Sequence, residues 1–238
     1  MTVEAALRAT RLHPGAWPRS LPLPAAGGGP ELWLVPPGPL RTEVAALAGS
    51  VLDGAEKERA ARLRRQEDRE AYIAAHVGLR LLLGAYLGTA AAGVPLYRLP
   101  CTSCGRPHGR PAVHGDPVHF SLSHADGLCL LAFAATTVGV DVEPVPAPAV
   151  AEELAAALHP RESAELLALP PVQRTRAFAR LWTRKEAYLK GLGTGLNRLP
   201  SLDYLGGSAE GAATAPPGWA VADIAVDDGY AAAVAYRC

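Results

Sequence analysis

The chain has 238 residues, and its 23 Lys and Arg balance 23 Asp and Glu, so its formal net charge is zero. This length suits one large domain or two small ones with a core of their own. The zero net charge argues against a strongly basic nucleic-acid-binding protein, and the 49% hydrophobic content excludes disorder of the whole chain. The N-terminus has no apolar signal core, and no apolar run reaches the roughly 20 residues that span a membrane. We therefore expect a cytoplasmic monomer with reduced thiols that binds neither nucleic acid nor membrane.

Residues 1–30 are predicted to form a flexible arm outside most of the core, because prolines and glycines interrupt every regular pattern there. The apolar run from Glu31 to Val35 predicts the first strand. Asp53 is predicted to cap a helix through a capping box with Glu56. Apolar residues at steps of three and four then predict a long helix over residues 67–87.

The remainder of the chain continues this alternation of strands and helices. A hairpin is predicted over 119–135, with its turn at Asp126 and Gly127, and a further strand over 138–145. Helices are predicted over 147–158, 161–168 and 172–191, and strands over 219–226 and 230–236. Each half of the chain thus combines about one long helix with a few strands, which predicts an α/β (α+β) fold. The halves are expected over residues 31–136 and 137–238.

The segment VGVDVE places two carboxylates on one face of a predicted strand. Asp141 and Glu143 are two residues apart, so their side chains point to the same side. Two carboxylates in this position repel each other unless a cation compensates. Mg²⁺ prefers such oxygen ligands. The alternative is an edge strand with a solvated polar face.

The segment LWTRKEAYLKGLGTGL predicts a helix on which Glu186 and Lys190, four residues apart, share a face. An ordinary surface ion pair would explain this spacing. However, the chain contains only three lysines, and two of them, Lys185 and Lys190, lie here. Lysine presents a compact point charge that suits phosphate oxygens. The helix therefore offers a third carboxylate together with phosphate-binding cations.

The segment FSLSHADG contains neighbouring Ser123 and His124, which raises the hypothesis of a hydrolase. The nucleophile elbow G-x-S-x-G is absent, and adjacent residues on a strand point to opposite faces. A histidine that donates to a phosphate, or one with a structural role, is favoured instead.

The motif Cys101-x-x-Cys104, with His108 and His114 nearby, has the spacing of part of a zinc site. No second pair of cysteines completes it. A loop with free thiols is therefore favoured over structural zinc.

Four motifs follow one another in the order HGRP, FSLSHA, VGVDVE and WTRKEAYLKGLGTGL, with 45 residues from Asp141 to Glu186. This order and spacing resemble the 4′-phosphopantetheinyl transferases of the surfactin-synthetase-activator (Sfp) type, from about residue 31 to the C-terminus. The resemblance implies a pseudo-twofold pair of similar α/β halves. Each half would be a long helix packed on a small, mostly antiparallel sheet, with the active site in the cleft between the halves. The second half would carry the metal-binding motifs.

The activity implied by the resemblance is that of a holo-[acyl-carrier-protein] synthase. Such an enzyme moves the 4′-phosphopantetheine group of coenzyme A to a serine of an apo acyl or peptidyl carrier protein and releases adenosine 3′,5′-bisphosphate. It depends on Mg²⁺, with Mn²⁺ as an alternative metal, and its acceptors include carriers of polyketide and nonribosomal-peptide systems. Two other functions are considered, a metal-dependent phosphodiesterase and a non-catalytic coenzyme A-binding protein.

The resemblance also implies roles for individual residues. The metal ligands would be Asp141, Glu143 and Glu186. The groups that bind coenzyme A would be Arg59, Arg110, Ser123, His124, Lys185 and Lys190. The catalytic residues would be Glu186, Lys190, His124 and Glu162. The base that accepts the serine proton would be Glu186, Glu162 or a water on the metal. The chain departs from the family pattern at Glu56, where a relative has a phosphate-binding lysine, and at Tyr72, where it has threonine.

Overall fold

The computed structural model describes residues 6–101, 105–107, 109–125, 127–194, 200–206 and 213–238. In chain order the strands and helices within these ranges are β1 (Leu7–Arg8), β2 (Thr10–Arg11), β3 (Glu31–Val35), α1 (Pro37–Val51), α2 (Gly54–Arg62), α3 (Gln66–Leu87), β4 (Leu96–Arg98), β5 (Pro111–Val113), β6 (His119–Ala125), β7 (Leu128–Ala134), β8 (Val138–Pro144), α4 (Pro148–Ala155), α5 (Pro160–Ala168), α6 (Pro171–Leu192), β9 (Trp219–Ala225) and β10 (Tyr230–Arg237). Among them, no helix has both the length and the apolar character needed to cross a membrane. The mixed α/β (α+β) class predicted from the sequence is confirmed.

The first four-stranded sheet has the order β2-β3-β7-β6 and is covered on one side by α1 and α3. Strands β3, β7 and β6 are antiparallel, and β2 joins β3 in parallel. The central strand β7 is buried along its whole length. Its residues alternate between two cores: Leu131 and Phe133 face the helices, whereas Leu130 and Ala132 face the second sheet. Burial on both faces explains why this strand is a continuous apolar run.

The second four-stranded sheet has the order β1-β9-β10-β8. Strand β10 pairs antiparallel with both β8 and β9, and Ala233 lies opposite Asp141 in that register. Val140 and Val142 of β8 face the core shared with the first sheet. The other face of the sheet packs against α6, where small residues such as Ala187 and Ala233 allow a close approach. The residues of β8 that do not enter the shared core, Asp141 among them, therefore point to the α6 side of the sheet.

The two sheets meet where β6 runs beside β8. The hydroxyl of Ser121 accepts a hydrogen bond of 3.1 Å from the backbone N–H of Val140, and that of Ser123 donates one of 2.9 Å to Asp141. Two side chains of the FSLSHA motif thus link the first sheet to the VGVDVE strand. This contact places both motifs in one region of the molecule.

The N-terminal segment differs from the sequence prediction, which placed most of residues 1–30 outside the core. Strand β1 pairs with β9 of the second sheet and β2 pairs with β3 of the first, so residues 7–11 join both sheets. Leu12 is buried in the core below α1 and α3. The segment between residues 13 and 30 forms no strand or helix, as its prolines and glycines predict. The division into halves at residue 136 stays a prediction.

Candidate active site

A cleft of about 1040 Å³ lies between α2, α3, the β4–β5 hairpin, β6 and the end of α6. Its wall carries several cationic or titratable nitrogen groups: Arg59, Arg98, Arg110, Lys190, His76 and His124. Acidic side chains are also present at one end, where Asp53 and Glu56 begin α2. A second cavity of about 600 Å³ shares His124 and Asp68 with the first and is lined in addition by Glu143 and Arg65. The combined surface suits an extended ligand with several negative charges.

Strand β8 and helix α6 lie unusually close together at the VGVDVE motif. A Cβ atom on Gly139 would overlap the carbonyl oxygen of Ala187 and the backbone nitrogen of Gly191. Only glycine therefore fits at position 139, because both obstructing atoms belong to the backbone. This contact brings the carboxylate of Asp141 next to the side chains at the end of α6.

Asp141 is the most enclosed carboxylate of the site, with 2% of its surface exposed. Its Oδ1 accepts hydrogen bonds from Ser123 Oγ at 2.9 Å and from Lys190 Nζ at 2.6 Å. Its Oδ2 is buried and has no hydrogen-bond partner in the described part of the chain. An anionic oxygen without a partner is costly, so this atom favours an additional cation or donor.

Glu186 lies close enough to Asp141 for the two charges to interact. Burial first, and then the negative charge of Asp141, raise the pKa of Glu186, whereas Lys190 opposes this shift. Lys190 forms its ion pair with Asp141, 49 residues earlier in the chain. The i, i+4 ion pair with Glu186 that the spacing allows is not formed between these two described side chains, although the charge of Lys190 still acts on Glu186. Within the described ranges, no three His, Cys, Asp or Glu side chains form a preassembled metal-binding group. The metal set Asp141, Glu143 and Glu186 stays a prediction.

Ser123 and His124 occupy different positions in the site. The Ser123 hydroxyl receives a hydrogen bond from Lys190 at 2.9 Å and passes one to Asp141. His124 lies at the boundary of the two cavities, and burial together with the charge of Lys190 lowers its pKa. Because the Ser123 hydroxyl donates its hydrogen bond to Asp141, Ser123 and His124 do not have the arrangement of a nucleophile activated by a neighbouring base.

The structure brings Lys185 and Glu162 together, but away from the walls of either cavity. Lys185 Nζ lies 2.8 Å from Glu162 Oε2, with side-chain exposures of 2% and 0%, and also donates to the backbone carbonyl of Asp203. Glu162 accepts from the N–H of Leu205 at 2.8 Å and from that of His159, with which it forms a capping box. Burial lowers the pKa of Lys185, and Glu162 counteracts this shift. The phosphate-binding role of Lys185 and the catalytic role of Glu162 stay predictions.

Arg59 and Arg110, to which the resemblance assigns the binding of coenzyme A, line the cleft. That role stays a prediction. The departure at Glu56 has a structural explanation, because Glu56 and Asp53 bind the buried guanidinium of Arg80 at 2.6 and 2.5 Å. The capping box predicted between Asp53 and Glu56 is confirmed. Sequence analysis did not identify Arg80, although the apolar residues Val77 and Leu83, three residues before and after it on α3, indicate that its side of the helix is buried.

Two further features of the cleft were not predicted from the sequence. Tyr72 and His76 stack with ring centroids 3.8 Å apart, and His76 Nδ1 lies 2.9 Å from the carbonyl oxygen of Tyr72. Burial lowers the pKa of His76 to about 4. The i, i+4 spacing of these aromatic rings on α3 is the sequence signal for the stack.

The cysteine motif is only partly described. Cys104 and His108 lie outside the described residues. Cys101 is buried on the cleft wall and forms no disulfide with another described cysteine, and the rings of His114 and Tyr97 stack with centroids 4.4 Å apart. The loop with free thiols, favoured over structural zinc from the sequence, stays a prediction.

Comparison with known proteins gives the family. The family model of the 4′-phosphopantetheinyl transferase superfamily matches residues 137–210, which include β8 and α6. The 4′-phosphopantetheinyl transferase HetI from Nostoc sp. is 33% identical over 208 residues, which cover 86% of each chain. The chain belongs to the 4′-phosphopantetheinyl transferase superfamily. Shorter matches include the 4′-phosphopantetheinyl transferase of Bacillus subtilis, 31% identical over 38% of this chain and 40% of the relative. Another is AcpT of Salmonella typhimurium, 39% identical over 40% of this chain and 51% of the relative.

As a member of this family, the protein is a transferase that uses coenzyme A as substrate and moves its phosphopantetheine group to carrier proteins. The predicted transfer of phosphopantetheine from coenzyme A to carrier proteins is thereby confirmed. The comparisons do not support the alternatives of a phosphodiesterase or a non-catalytic coenzyme A-binding protein. The resemblance stated from the four motifs is also confirmed.

Proposed function

We propose that transfer takes place at the end of the large cleft where Lys190, on the cleft wall, pairs with Asp141, and that Mg²⁺ is held by Asp141, Glu143 and Glu186. The observation that carries this proposal is the buried Oδ2 of Asp141, which has no partner among the described residues although the carboxylate is 2% exposed. Burial raises the pKa of the neighbouring Glu186, and the charge of Asp141 raises it further, so added positive charge would stabilise the two carboxylates. A divalent cation would supply it.

The donor set fits magnesium better than a softer metal. The three candidate ligands are carboxylates, and Mg²⁺ binds proteins through one or two carboxylates together with substrate phosphates. When bound, Mg²⁺ would neutralise charge that develops on the diphosphate during transfer. Mn²⁺ accepts the same oxygen ligands and is the alternative metal.

The cationic side chains of the cleft are proposed to hold coenzyme A. Lys190 lies on the cleft wall beside Asp141, so it can bind the diphosphate while remaining close to the metal ligands. His124, at the boundary of the two cavities, would donate to a phosphate oxygen. Arg110 and Arg59 would bind the nucleotide end of the substrate.

The reaction is proposed as an in-line displacement on the β-phosphate. The hydroxyl of the carrier serine forms a bond to phosphorus, and the bond to the leaving adenosine 3′,5′-bisphosphate breaks. The serine proton passes to a base near the phosphate. Of the two candidate carboxylates, Glu186 suits this role better by position, because it lies near Asp141, whereas Glu162 is fully buried in an ion pair with Lys185.

We also propose that Lys185 and Glu162 have a structural role, in which their ion pair holds neighbouring parts of the site in place. Their ion pair joins the start of α5 to α6 and fixes the 200–206 segment through Asp203 and Leu205. Because Lys185 precedes Glu186 on α6, this attachment positions a proposed metal ligand. The monomeric state, the cytoplasmic location and acceptors of polyketide or nonribosomal-peptide type are further predictions that accompany the proposal.

The metal site is tested by direct binding of Mn²⁺, followed by electron paramagnetic resonance, so that the readout does not depend on activity. Wild type is expected to bind one Mn²⁺ that Mg²⁺ displaces, and Asp141→Asn is expected to bind it at least tenfold more weakly. The matched control is Glu58→Gln, because Glu58 is 70% exposed and its side chain pairs with Arg62 on the helix surface. Equal Mn²⁺ affinity in wild type and Asp141→Asn would refute the metal assignment.

A further inference from the structure

Thr194 follows α6 directly and lies on the wall of the large cleft. Its Oγ1 is buried, yet it makes no hydrogen bond within the described part of the chain. A buried hydroxyl without a partner lowers the stability of the folded protein, so such groups are rare unless a ligand or water uses them.

The end of α6 explains why the hydroxyl is left without a local partner. Gly193 adopts the left-handed conformation with φ +74°, which ends the helix. The backbone N–H of Gly193 donates to the carbonyl of Lys190 at 3.1 Å, and that of Thr194 donates to the carbonyl of Leu189 at 3.3 Å. The turn thus satisfies these last carbonyls through backbone donors and leaves Thr194 on the cleft wall.

The surroundings of Thr194 in the cleft are cationic. Lys190 lies four residues earlier, in the last turn of α6, and also lines the cleft. The aliphatic part of Arg110 approaches Gly193, with its Cδ 3.7 Å from the place that a Cβ of residue 193 would occupy. A hydroxyl on a cleft wall that also carries two cations is suited to donate to an anionic oxygen.

We propose that the Thr194 hydroxyl donates a hydrogen bond to an oxygen of the diphosphate of coenzyme A, next to Lys190. This inference rests on the proposed function, which places coenzyme A in the large cleft. The diphosphate is the group in question because Lys190 also contacts Asp141, beside the proposed metal ligands. Thr194 is thus a further substrate-positioning residue.

The test compares Thr194→Val, which keeps the shape but removes the hydroxyl, with Thr194→Ser, which keeps the hydroxyl. Binding of coenzyme A is measured by calorimetry in the presence of Mg²⁺, with thermal melts of the protein alone. Thr194→Val is expected to bind coenzyme A about tenfold more weakly, the loss of one hydrogen bond to a charged group, and to melt at the same or a higher temperature. Thr194→Ser is expected to retain the wild-type affinity.

Thr183→Val, a substitution within α6, serves as the control. Its hydroxyl is buried but already donates to the carbonyl of Ala179, so its removal is expected to leave the affinity for coenzyme A unchanged. Dephospho-coenzyme A, which retains the diphosphate, is expected to show the same tenfold loss with Thr194→Val.

Three results would overturn the inference: wild-type affinity in Thr194→Val, a lower melting temperature of its ligand-free form, or a loss seen with coenzyme A but not with dephospho-coenzyme A. The last result would assign the contact to the 3′-phosphate. A wild-type protein that binds no coenzyme A in the same experiment would instead refute the proposed site itself.

Discussion

Replacing Lys185 by methionine separates a structural role of this lysine from a phosphate-binding role. The substitution keeps an unbranched side chain of similar length and removes the charge that pairs with Glu162 at 2.8 Å. Both side chains are essentially buried, with exposures of 2% and 0%. The substitution therefore leaves a buried carboxylate with its two backbone N–H donors but without a cation.

The expected magnitude follows from this burial. Removing one partner of a buried ion pair costs about 3–5 kcal/mol of unfolding free energy, because the remaining charge is left uncompensated. In a domain of this size each kcal/mol lowers Tm by about 2–4 °C, so Lys185→Met is expected to lower it by about 10 °C. The double variant Lys185→Met with Glu162→Gln should lose less than the sum of the single variants, since neither charge then remains.

The assay combines urea unfolding with the transfer rate at saturating coenzyme A, measured at a temperature where each variant is folded. We expect folded Lys185→Met to transfer within a few-fold of wild type with a similar KM for coenzyme A. Unchanged stability together with a large rise in that KM would refute the structural role and make Lys185 a phosphate ligand.

Three other changes have defined outcomes. Lys190→Ala should lower turnover at least tenfold while the protein stays folded. Lys190→Arg should restore turnover only in part, because the planar guanidinium replaces a compact ammonium charge. Wild-type turnover in the alanine variant would show that Lys190 is an ordinary surface residue. His76 has a pKa of about 4, below its unfolded value of 6.5, so it stabilises the fold above pH 6.5 and this contribution, up to about 3 kcal/mol, is lost as the pH falls through 4. In urea unfolding, His76→Phe should lose less stability than wild type between pH 7 and 4.5, and parallel pH curves would contradict this reasoning. Gly139→Ala should lower the free energy of unfolding by about 3–5 kcal/mol, because its Cβ would overlap backbone atoms of α6. A wild-type melting curve would show that β8 and α6 are less tightly packed.

The sequence predicted the regular elements wherever the local pattern was strong. Strand β3, the β6–β7 hairpin and the helices α5 and α6 lie within one or two residues of their predicted bounds. Helix α1 was missed, although Pro37 and Pro39 stand in its first turn and Leu40 and Val44 form its buried face. Strands β1 and β2 have two residues each and pair with distant strands, so no local pattern could reveal them.

The sequence predicted which residues the candidate site would contain, but not which of their side chains form ion pairs with one another. The i, i+4 spacing of Glu186 and Lys190 favoured a local contact, whereas the close packing of β8 on α6 gives Lys190 a buried partner in Asp141. Lys185 and Lys190 were both interpreted as phosphate-binding groups because lysine is rare in this chain. However, five helical residues rotate by about 140°, so Lys185 and Lys190 point in different directions. That rotation is available from the sequence and separates the buried lysine from the one on the cleft wall.

The most direct test of the central claim, that transfer takes place at Asp141, is the intact mass of an apo carrier protein after incubation with coenzyme A, Mg²⁺ and the enzyme. Wild type and the control Glu58→Gln are predicted to add one phosphopantetheine group to the carrier at similar rates. Asp141→Asn is predicted to remain folded in thermal melts and to add almost none. Efficient modification of the carrier by folded Asp141→Asn would contradict the account.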